Sequence, residues 1–219
     1  MPINKIASSK RGKAAAVAAV VFAAVSGWNT FVASKATPAH PEITPAIIHQ
    51  AIDKGLTPPA VQLAVDKLIK PWEGFSNIAY QDSVGVWTIG FGDTWFNGRR
   101  VRKGDYISRE DAEKLLLKRA INDYYLPLVD GVKNYAQAPY SVQASMLSGG
   151  YNFGVGAAKR SKTAGYVATY HYDEACSAQT AFNKAGGEIS NGLVKRREMG
   201  DQQRMGEAEL CLSYKAEKQ

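Results

Sequence analysis

Residues 73–94 read EGFSNIAYQDSVGVWTIGFGDT, and the α+β architecture can be worked out from this segment outward. Residues 78–81 and 86–91 are rich in β-branched and aromatic side chains, and a polar segment with Asp, Ser and Gly separates them. Two such runs around a short polar turn predict a β-hairpin. Glu73 precedes the hairpin and Asp82 lies in its turn, so two acids flank the first predicted strand.

Helical patterns lie on both sides of the hairpin. Apolar side chains at positions 61, 65, 68 and 72 recur at helical spacing and predict an amphipathic helix that leads to Glu73. Pro71 is expected to kink this helix or to end it just before Glu73. Ser108 begins a capping box that predicts a helix to about residue 124. Further helices are predicted over 45–54, 140–148, 156–170, 173–184 and 192–211, with a third strand at 98–101. The fold class is therefore α+β.

Composition excludes several classes of protein. The chain has 219 residues, 45% hydrophobic and 21% charged, which suits one domain with an extra segment and excludes wholesale disorder or a multi-pass membrane protein. Five cations and no acid lie in residues 1–36, so residues 37–219 carry only +2 of the net +7. We therefore expect no nucleic-acid partner. With two Cys and three His at no ligand spacing, we expect no metal and no other cofactor.

The N-terminus carries the pattern of an exported chain. Residues 14–33 lack charged side chains over about twenty positions, which is long enough to span a bilayer as a helix, and four cations precede them. The positive-inside rule then predicts a transmembrane signal-anchor with its N-terminus in the host cytoplasm. The alternatives are a buried Ala-rich core helix and a signal peptide cleaved after Ala36. The predicted organisation is 1–36 basic N-terminus and anchor, 37–57 linker and short helix, and 58–219 catalytic domain.

Two carboxylates flanking a cleft are what glycoside hydrolysis requires. Glu73 follows Trp72 near a helix C-terminus, a setting that favours the protonated acid, whereas the polar turn around Asp82 favours the ionised form. The hydroxyl of Thr88, in the returning strand, both donates and accepts hydrogen bonds and is expected to hold the attacking water. Glu73, Asp82 and Thr88 are the predicted catalytic residues.

The whole pattern resembles a known family. E-G, then Y-x-D, then G-x-W-T-I-G-x-G in residues 73–92 resembles the catalytic hairpin of phage-type lysozymes, glycoside hydrolase family 24. The segments GGYNFG at 149–154, AGG at 185–187 and GLVKRRE at 192–198 resemble further family signatures. The similarity covers about residues 58–212, and the N-terminal segment resembles the anchors of signal-arrest-release endolysins.

The resemblance implies a lysozyme-like fold, with a small β-hairpin lobe and a helical lobe joined by a helix. It implies an endolysin muramidase whose substrate is the glycan strands of peptidoglycan. In this reaction Glu73 would be the general acid, Asp82 the second carboxylate and Thr88 the residue that positions water. Inversion at the anomeric carbon and a monomeric protein are also expected. The anchor would hold the enzyme at the host inner membrane until its release to the periplasm, without a Cys in the anchor to control that step.

Other conspicuous residues allow two interpretations. Arg196, Arg197 and Asn152 either contact the substrate or pair and pack within the protein. Asp93 stands where several relatives carry His or Asn, and it has no assigned role. Phe182 stands where many carry Trp.

Cys176 and Cys211 lie in the last two predicted helices. An oxidising periplasm favours a disulfide between them, and related exported lysozymes have Cys near both positions. The alternative is a pair of buried free thiols.

Two other functions remain open at this point. A lytic transglycosylase forms an anhydro sugar and needs no Asp–Thr pair to place water, so Asp82 and Thr88 argue against it. A non-catalytic wall-binding or membrane-active basic protein would act without Glu73.

Overall fold

A computed structural model describes residues 27–33, 43–82 and 84–217. Its small lobe contains the antiparallel pair β1 (Ser76–Gln81) and β2 (Trp87–Gly90). A second hairpin pairs β3 (Trp95–Phe96) with β4 (Arg99–Arg100), and a third pairs β5 (Lys184–Ala185) with β6 (Glu188–Ile189). The helices are α1 (Pro45–Asp53), α2 (59–73), α3 (109–131), α4 (Tyr140–Phe153), α5 (Val155–Lys159), α6 (Lys162–Ala168), α7 (Tyr172–Gln179), α8 (Asn191–Arg197), α9 (Glu207–Leu212) and α10 (Tyr214–Glu217). A short 3₁₀ turn spans Tyr135–Gln137.

Helix α2 passes through Pro71 and ends at Glu73, so the predicted end before Glu73 is wrong. The segment Val65–Ile69 is a π-helix, and the α-helical turn Lys70–Glu73 continues from it. Proline lacks the N–H of a regular helical bond, and a wider turn just upstream accommodates it. Gly74, at a φ of 72°, then turns the chain into β1.

The predicted hairpin is confirmed, but the predicted third strand at 98–101 does not join it. Residues 99–100 pair with residues 95–96 in a separate hairpin. The other edge of β1 is bonded to the segment 105–107, where the Ala79 amide donates to the Asp105 carbonyl and the Ile107 amide donates to the Asn77 carbonyl, both over 2.9 Å. This three-part sheet is the frame of the small lobe.

Helix α3 begins at the predicted cap, where the Ser108 hydroxyl oxygen accepts the Asp111 amide over 3.0 Å. It continues past the predicted end near residue 124 to Gly131, because the π-helical stretch Ala120–Tyr125 connects two α-helical parts without a break. Helix α3 therefore runs from the small lobe into the helical lobe.

Helix α4 is the centre of the helical lobe, and every residue from 141 to 150 is buried. Its predicted end at 148 is too early. The predicted helix 156–170 is two helices, since Ser161 caps a new start by accepting the Ala164 amide over 3.1 Å. The predicted helix 192–211 is also two, and the predicted helix 173–184 ends at Gln179. A β-carbon added to Gly206 would lie 2.1 Å from the Glu198 carbonyl oxygen, so the chain folds back there at a glycine.

The N-terminal part that the structure describes packs on the helical lobe. Residues 27–33 are helical, and Trp28 and Val32 are buried in the same core as Ile48 of α1. The Tyr140 hydroxyl donates to the Asn29 side chain over 3.1 Å. No helix within the described ranges is both long and apolar enough to cross a membrane, and residues 14–26 of the predicted anchor lie outside those ranges.

The predicted disulfide is present. Cys176 of α7 and Cys211 of α9 are bonded, with their Cα atoms 5.5 Å apart. The bond ties together the two helices that cover one side of α4. The alternative of two free thiols is therefore wrong.

Candidate active site

Glu73 is the last residue of α2 and lies directly before the hairpin. Its side chain is 21% exposed, and its Oε1 accepts a hydrogen bond from Arg196 Nη1 over 2.8 Å. A β-carbon added to Gly92 would lie 3.8 Å from Glu73 Oε2, so the turn after β2 comes close to the same carboxyl group. The sequence predicted a position beside Trp72 and a helix C-terminus for Glu73, and the structure adds the guanidinium of Arg196 against its carboxyl group. The Trp72 indole donates to the Met205 carbonyl over 2.7 Å.

Asp82 and Thr88 are both hydrogen-bonded to Val86. Asp82 Oδ1 accepts the Val86 amide over 2.8 Å and the Val84 amide over 3.0 Å, which shapes the turn between β1 and β2. Its other carboxylate oxygen has no hydrogen-bond partner among the described residues. The Thr88 hydroxyl donates to the Val86 carbonyl over 3.1 Å, which leaves its lone pairs as acceptors. One turn residue thereby fixes both side chains relative to the hairpin.

A buried carboxylate, Glu207, lies behind Glu73 in the helical lobe. Its Oε1 accepts from Arg197 Nη1 over 2.5 Å, from the Ser148 hydroxyl over 2.8 Å and from Arg196 Nε over 3.3 Å. Its Oε2 accepts from Gln179 over 3.2 Å. We call these five side chains the Glu207 network. Burial disfavours charge and lowers the pKa of Arg197, although the neighbouring Glu207 acts in the opposite direction.

The structure shows where the three predicted substrate-binding residues lie. Arg196 and Arg197 have side chains 5% and 0% exposed, and their charged groups pair with carboxylates of the protein. Asn152 is exposed, but its side-chain oxygen accepts a hydrogen bond from Arg197 Nη2. Their contact with substrate stays a prediction, and the contact of Arg196 with Glu73 is the feature that ties this group to the candidate site.

A concave region of about 390 Å³ lies on the helical lobe beside this group. It is lined in part by Asn152, Phe153, Phe182, Lys184 and Arg197. Phe182 stacks on Phe153 with ring centres 3.8 Å apart, so the residue that replaces a family Trp still presents an aromatic surface.

Asp93, the acid without an assigned role, is fully buried and forms an ion pair with Arg119 of α3. Its backbone forms two 2.8 Å bonds with Ile89, which close the turn after β2. Burial raises the pKa of the Asp93 carboxyl, while the guanidinium of Arg119 acts against that rise. Asp93 therefore joins the hairpin to the helix that connects the lobes, beside the turn that approaches Glu73.

Sequence reasoning missed Glu207 and Arg119. Each is one charged residue in a helix that holds several, and no local pattern marks it as buried. The adjacent glycines at 149 and 150 could have indicated close packing at this point of the helix. A β-carbon at Gly149 would lie 2.0 Å from Nε2 of Gln179, a member of the Glu207 network. Within the described ranges, no group of three or more His, Cys, Asp and Glu side chains is placed to hold a metal ion.

The sequence and the fold both match known proteins. A family model described as phage lysozyme matches residues 70–200, which include the hairpin, the connecting helix and the Arg196–Arg197 pair. The chain belongs to the phage lysozyme family. Its α+β fold, with helices and small antiparallel sheets, is the lysozyme-like fold predicted above.

Three relatives illustrate the similarity. An endolysin of Bacillus phage B103 is 36% identical over 135 residues, covering 60% of this chain and 48% of that protein, so the match spans about half the relative's length. A SAR-endolysin of Enterobacteria phage P21 is 30% identical over 146 residues, covering 64% of this chain and 77% of that protein. The solved structure of an endolysin from Escherichia coli O157:H7 phage FAHEc1 aligns with a TM-score of 0.57 at 27% identity, covering 70% of this chain and 90% of that one.

Proposed function

We propose that this phage lysozyme family member is an endolysin muramidase. It hydrolyses the β-1,4 bond between N-acetylmuramic acid and N-acetylglucosamine in peptidoglycan and so lyses the host cell. The observation that carries the proposal is Glu73 at the end of α2, held by Arg196 over 2.8 Å and followed directly by the hairpin that bears Asp82 and Thr88.

Glu73 acts as the general acid. It donates its proton to the glycosidic oxygen as the bond to the anomeric carbon breaks, so the leaving sugar departs as an alcohol. Arg196 orients the carboxyl group through Oε1.

Asp82 and Thr88 act on the opposite side of the sugar. The free carboxylate oxygen of Asp82 takes one proton from a water molecule whose oxygen attacks the anomeric carbon. The Thr88 hydroxyl oxygen accepts a hydrogen bond from the water's other O–H, which remains on the product as the anomeric hydroxyl. Attack from the side opposite the leaving group inverts the anomeric centre. Proton transfer from Asp82 back to Glu73 through solvent restores the starting state.

The exported location is part of the same proposal. Residues 14–33 first hold the protein in the host inner membrane, with residues 58–219 as the catalytic domain, and the chain then leaves the bilayer for the periplasm. The packing of residues 27–33 against the helical lobe supports a released state, because Trp28 cannot lie in that core and in a bilayer at once. The similarity to a SAR-endolysin of phage P21 also supports it.

Product analysis tests the proposed reaction. Purified protein is incubated with peptidoglycan, and the reaction is run in ¹⁸O-labelled water and analysed by mass spectrometry. We expect reducing muramic acid ends that carry the label. Unlabelled anhydro ends would instead identify a lytic transglycosylase, and lysis that survives Glu73→Gln would identify a non-catalytic wall-binding or membrane-active protein.

A further inference from the structure

Exposed apolar side chains are concentrated on the small lobe, residues 76–107. Of nine large hydrophobic side chains that are exposed in the described part of the chain, six lie there: Ile78, Tyr80, Val84, Val86, Trp95 and Tyr106. Tyr106 is 62% exposed, Ile78 56% and Tyr80 42%. A concentration of exposed apolar surface marks a binding site more often than scattered apolar residues do.

Three of these side chains form one continuous surface. Ile78 lies opposite Tyr106 in an antiparallel bridge, so their side chains project from the same face of the sheet. Ala79 and Ile107, the next residues in each segment, are 8% and 2% exposed and face the core. Tyr80, on the other side of the buried Ala79, is exposed like Ile78 and lies on the same outer face. We call Ile78, Tyr80 and Tyr106 the tyrosine face.

The tyrosine face is continuous with the candidate active site. Tyr80 is the direct partner of Thr88 in the register of β1 and β2, and opposite residues of an antiparallel pair share a face. The register shifts between Ser76 and Tyr80. Such irregularities redirect side chains next to active sites. Thr88 is only 4% exposed and Tyr80 is 42% exposed, so this face becomes accessible at Tyr80 and continues to Ile78 and Tyr106.

The chemistry of the tyrosine face suits a sugar polymer. Neither the Tyr80 nor the Tyr106 hydroxyl has a hydrogen-bond partner among the residues that the structure describes. Each ring offers an apolar surface to the C–H face of a pyranose, and each free hydroxyl can donate to or accept from a sugar hydroxyl. Ligand sites combine apolar area with a few such polar groups.

We propose that the tyrosine face extends the glycan-binding surface beyond Thr88 and binds sugar rings distant from the bond that is cleaved. This inference rests on the proposed muramidase function and adds the residues by which the enzyme distinguishes long strands from short ones. Ile78 and Tyr106 take no part in the chemical step. Their loss therefore affects strand binding rather than turnover.

The test uses glycan strands freed of peptide and separated by length. Tyr106→Ser and Ile78→Ser, singly and together, are compared with the wild-type full chain for KM and kcat on long strands and on the shortest strands that the wild type cleaves. An aromatic contact is worth a factor of about 3 to 10 in affinity. We expect KM on long strands to rise by about that factor for Tyr106→Ser, with kcat unchanged and little effect on the shortest strands. Tyr106→Phe, which keeps the ring, should lie between.

Tyr166→Ser is the matched control, because Tyr166 is an exposed tyrosine of the helical lobe. It should leave both constants unchanged, and all variants should unfold at the wild-type temperature. Equal KM values for wild type and Tyr106→Ser on long strands would overturn the inference while leaving the muramidase proposal intact. A wild-type protein that cleaves no glycan strand would contradict both the muramidase function and the glycan-binding role of the tyrosine face. Unchanged KM with lost binding to phosphatidylglycerol vesicles would assign the face to lipid and reject the glycan site.

Discussion

Arg196 donates to Glu73 Oε1 over 2.8 Å through Nη1, and its Nε donates to Glu207 Oε1 over 3.3 Å. One guanidinium therefore connects the candidate acid to a carboxylate that is fully buried in the helical lobe. Glu207 is held in turn by the rest of its network and lies on the helix that the disulfide secures. The position of Glu73 thus depends on packing far from the hairpin.

Glu73→Gln is expected to abolish wall hydrolysis while leaving folding intact. The change removes the donated proton with little change of shape, and general acid catalysis contributes roughly 10²–10⁴-fold to rate. The measurement is turnover of purified peptidoglycan, with the thermal unfolding midpoint as control. Activity within tenfold of the wild type would show that another group is the acid.

Asp82→Asn and Asp82→Ala separate the chemical role of Asp82 from its role in the turn. The amide oxygen of Asn can still accept the Val84 and Val86 amides, so Asp82→Asn should keep the hairpin and lose at least about 10²-fold in rate. Asp82→Ala should lose activity and also lower the unfolding temperature. Thr88→Ala should reduce kcat through poorly placed water. An active Asp82→Asn enzyme is the result that contradicts the assignment.

Glu207→Gln is expected to destabilise the helical lobe. It leaves the buried Arg197 guanidinium without its counter-charge, and breaking a buried pair in this way costs about 3–5 kcal/mol. Urea unfolding measures the change, and Glu188→Gln, an exposed acid with no ion pair in the described residues, is the control. A loss below about 1 kcal/mol, the range of surface pairs, would mean that the network contributes little.

Asp105 should make stability depend on acid pH. The side-chain hydrogen bonds from Arg99, followed by that from the Arg102 amide, lower the pKa of Asp105 from 3.8 to about 2. A lowered pKa in the folded state stabilises the fold above pH 3.8, and the contribution disappears as pH falls through about 2. The difference in unfolding temperature between wild type and Asp105→Asn should therefore be largest above about pH 4 and shrink toward pH 2. A constant difference across this range would rule out the ion pair as its cause.

Replacing Ala15, Ala16, Ala18 and Ala19 by Leu should trap the protein in the membrane and delay lysis. Leucine inserts more favourably than alanine, and these positions lie outside the helix 27–33 that packs on the domain. Fractionation after membrane depolarisation measures the effect: the wild type should move from membrane to soluble fraction at unchanged mass. A soluble form that begins at Thr37 would show a cleaved signal peptide instead of release.

The sequence alone determined the features that depend on neighbours along the chain. The hairpin follows from two β-prone runs around a polar turn, and the start of α3 follows from the cap at Ser108. Glu73, Asp82 and Thr88 lie within sixteen residues of one another, so their grouping could be predicted from one segment and its resemblance to a family.

The partners of these residues depend on contacts between distant parts of the chain. Arg196 is 123 positions from Glu73, and the residues around it in the sequence do not show that the two side chains pair. The same holds for the pairing of Asp93 with Arg119, and for Tyr106, whose exposure depends on its pairing with Ile78. Capping and turn formation involve residues a few positions apart, whereas the burial of a charge depends on which distant helix supplies its partner. Local sequence patterns therefore predict the helices, the strands and the candidate catalytic acids, whereas tertiary packing determines which distant side chains pair with the charged groups.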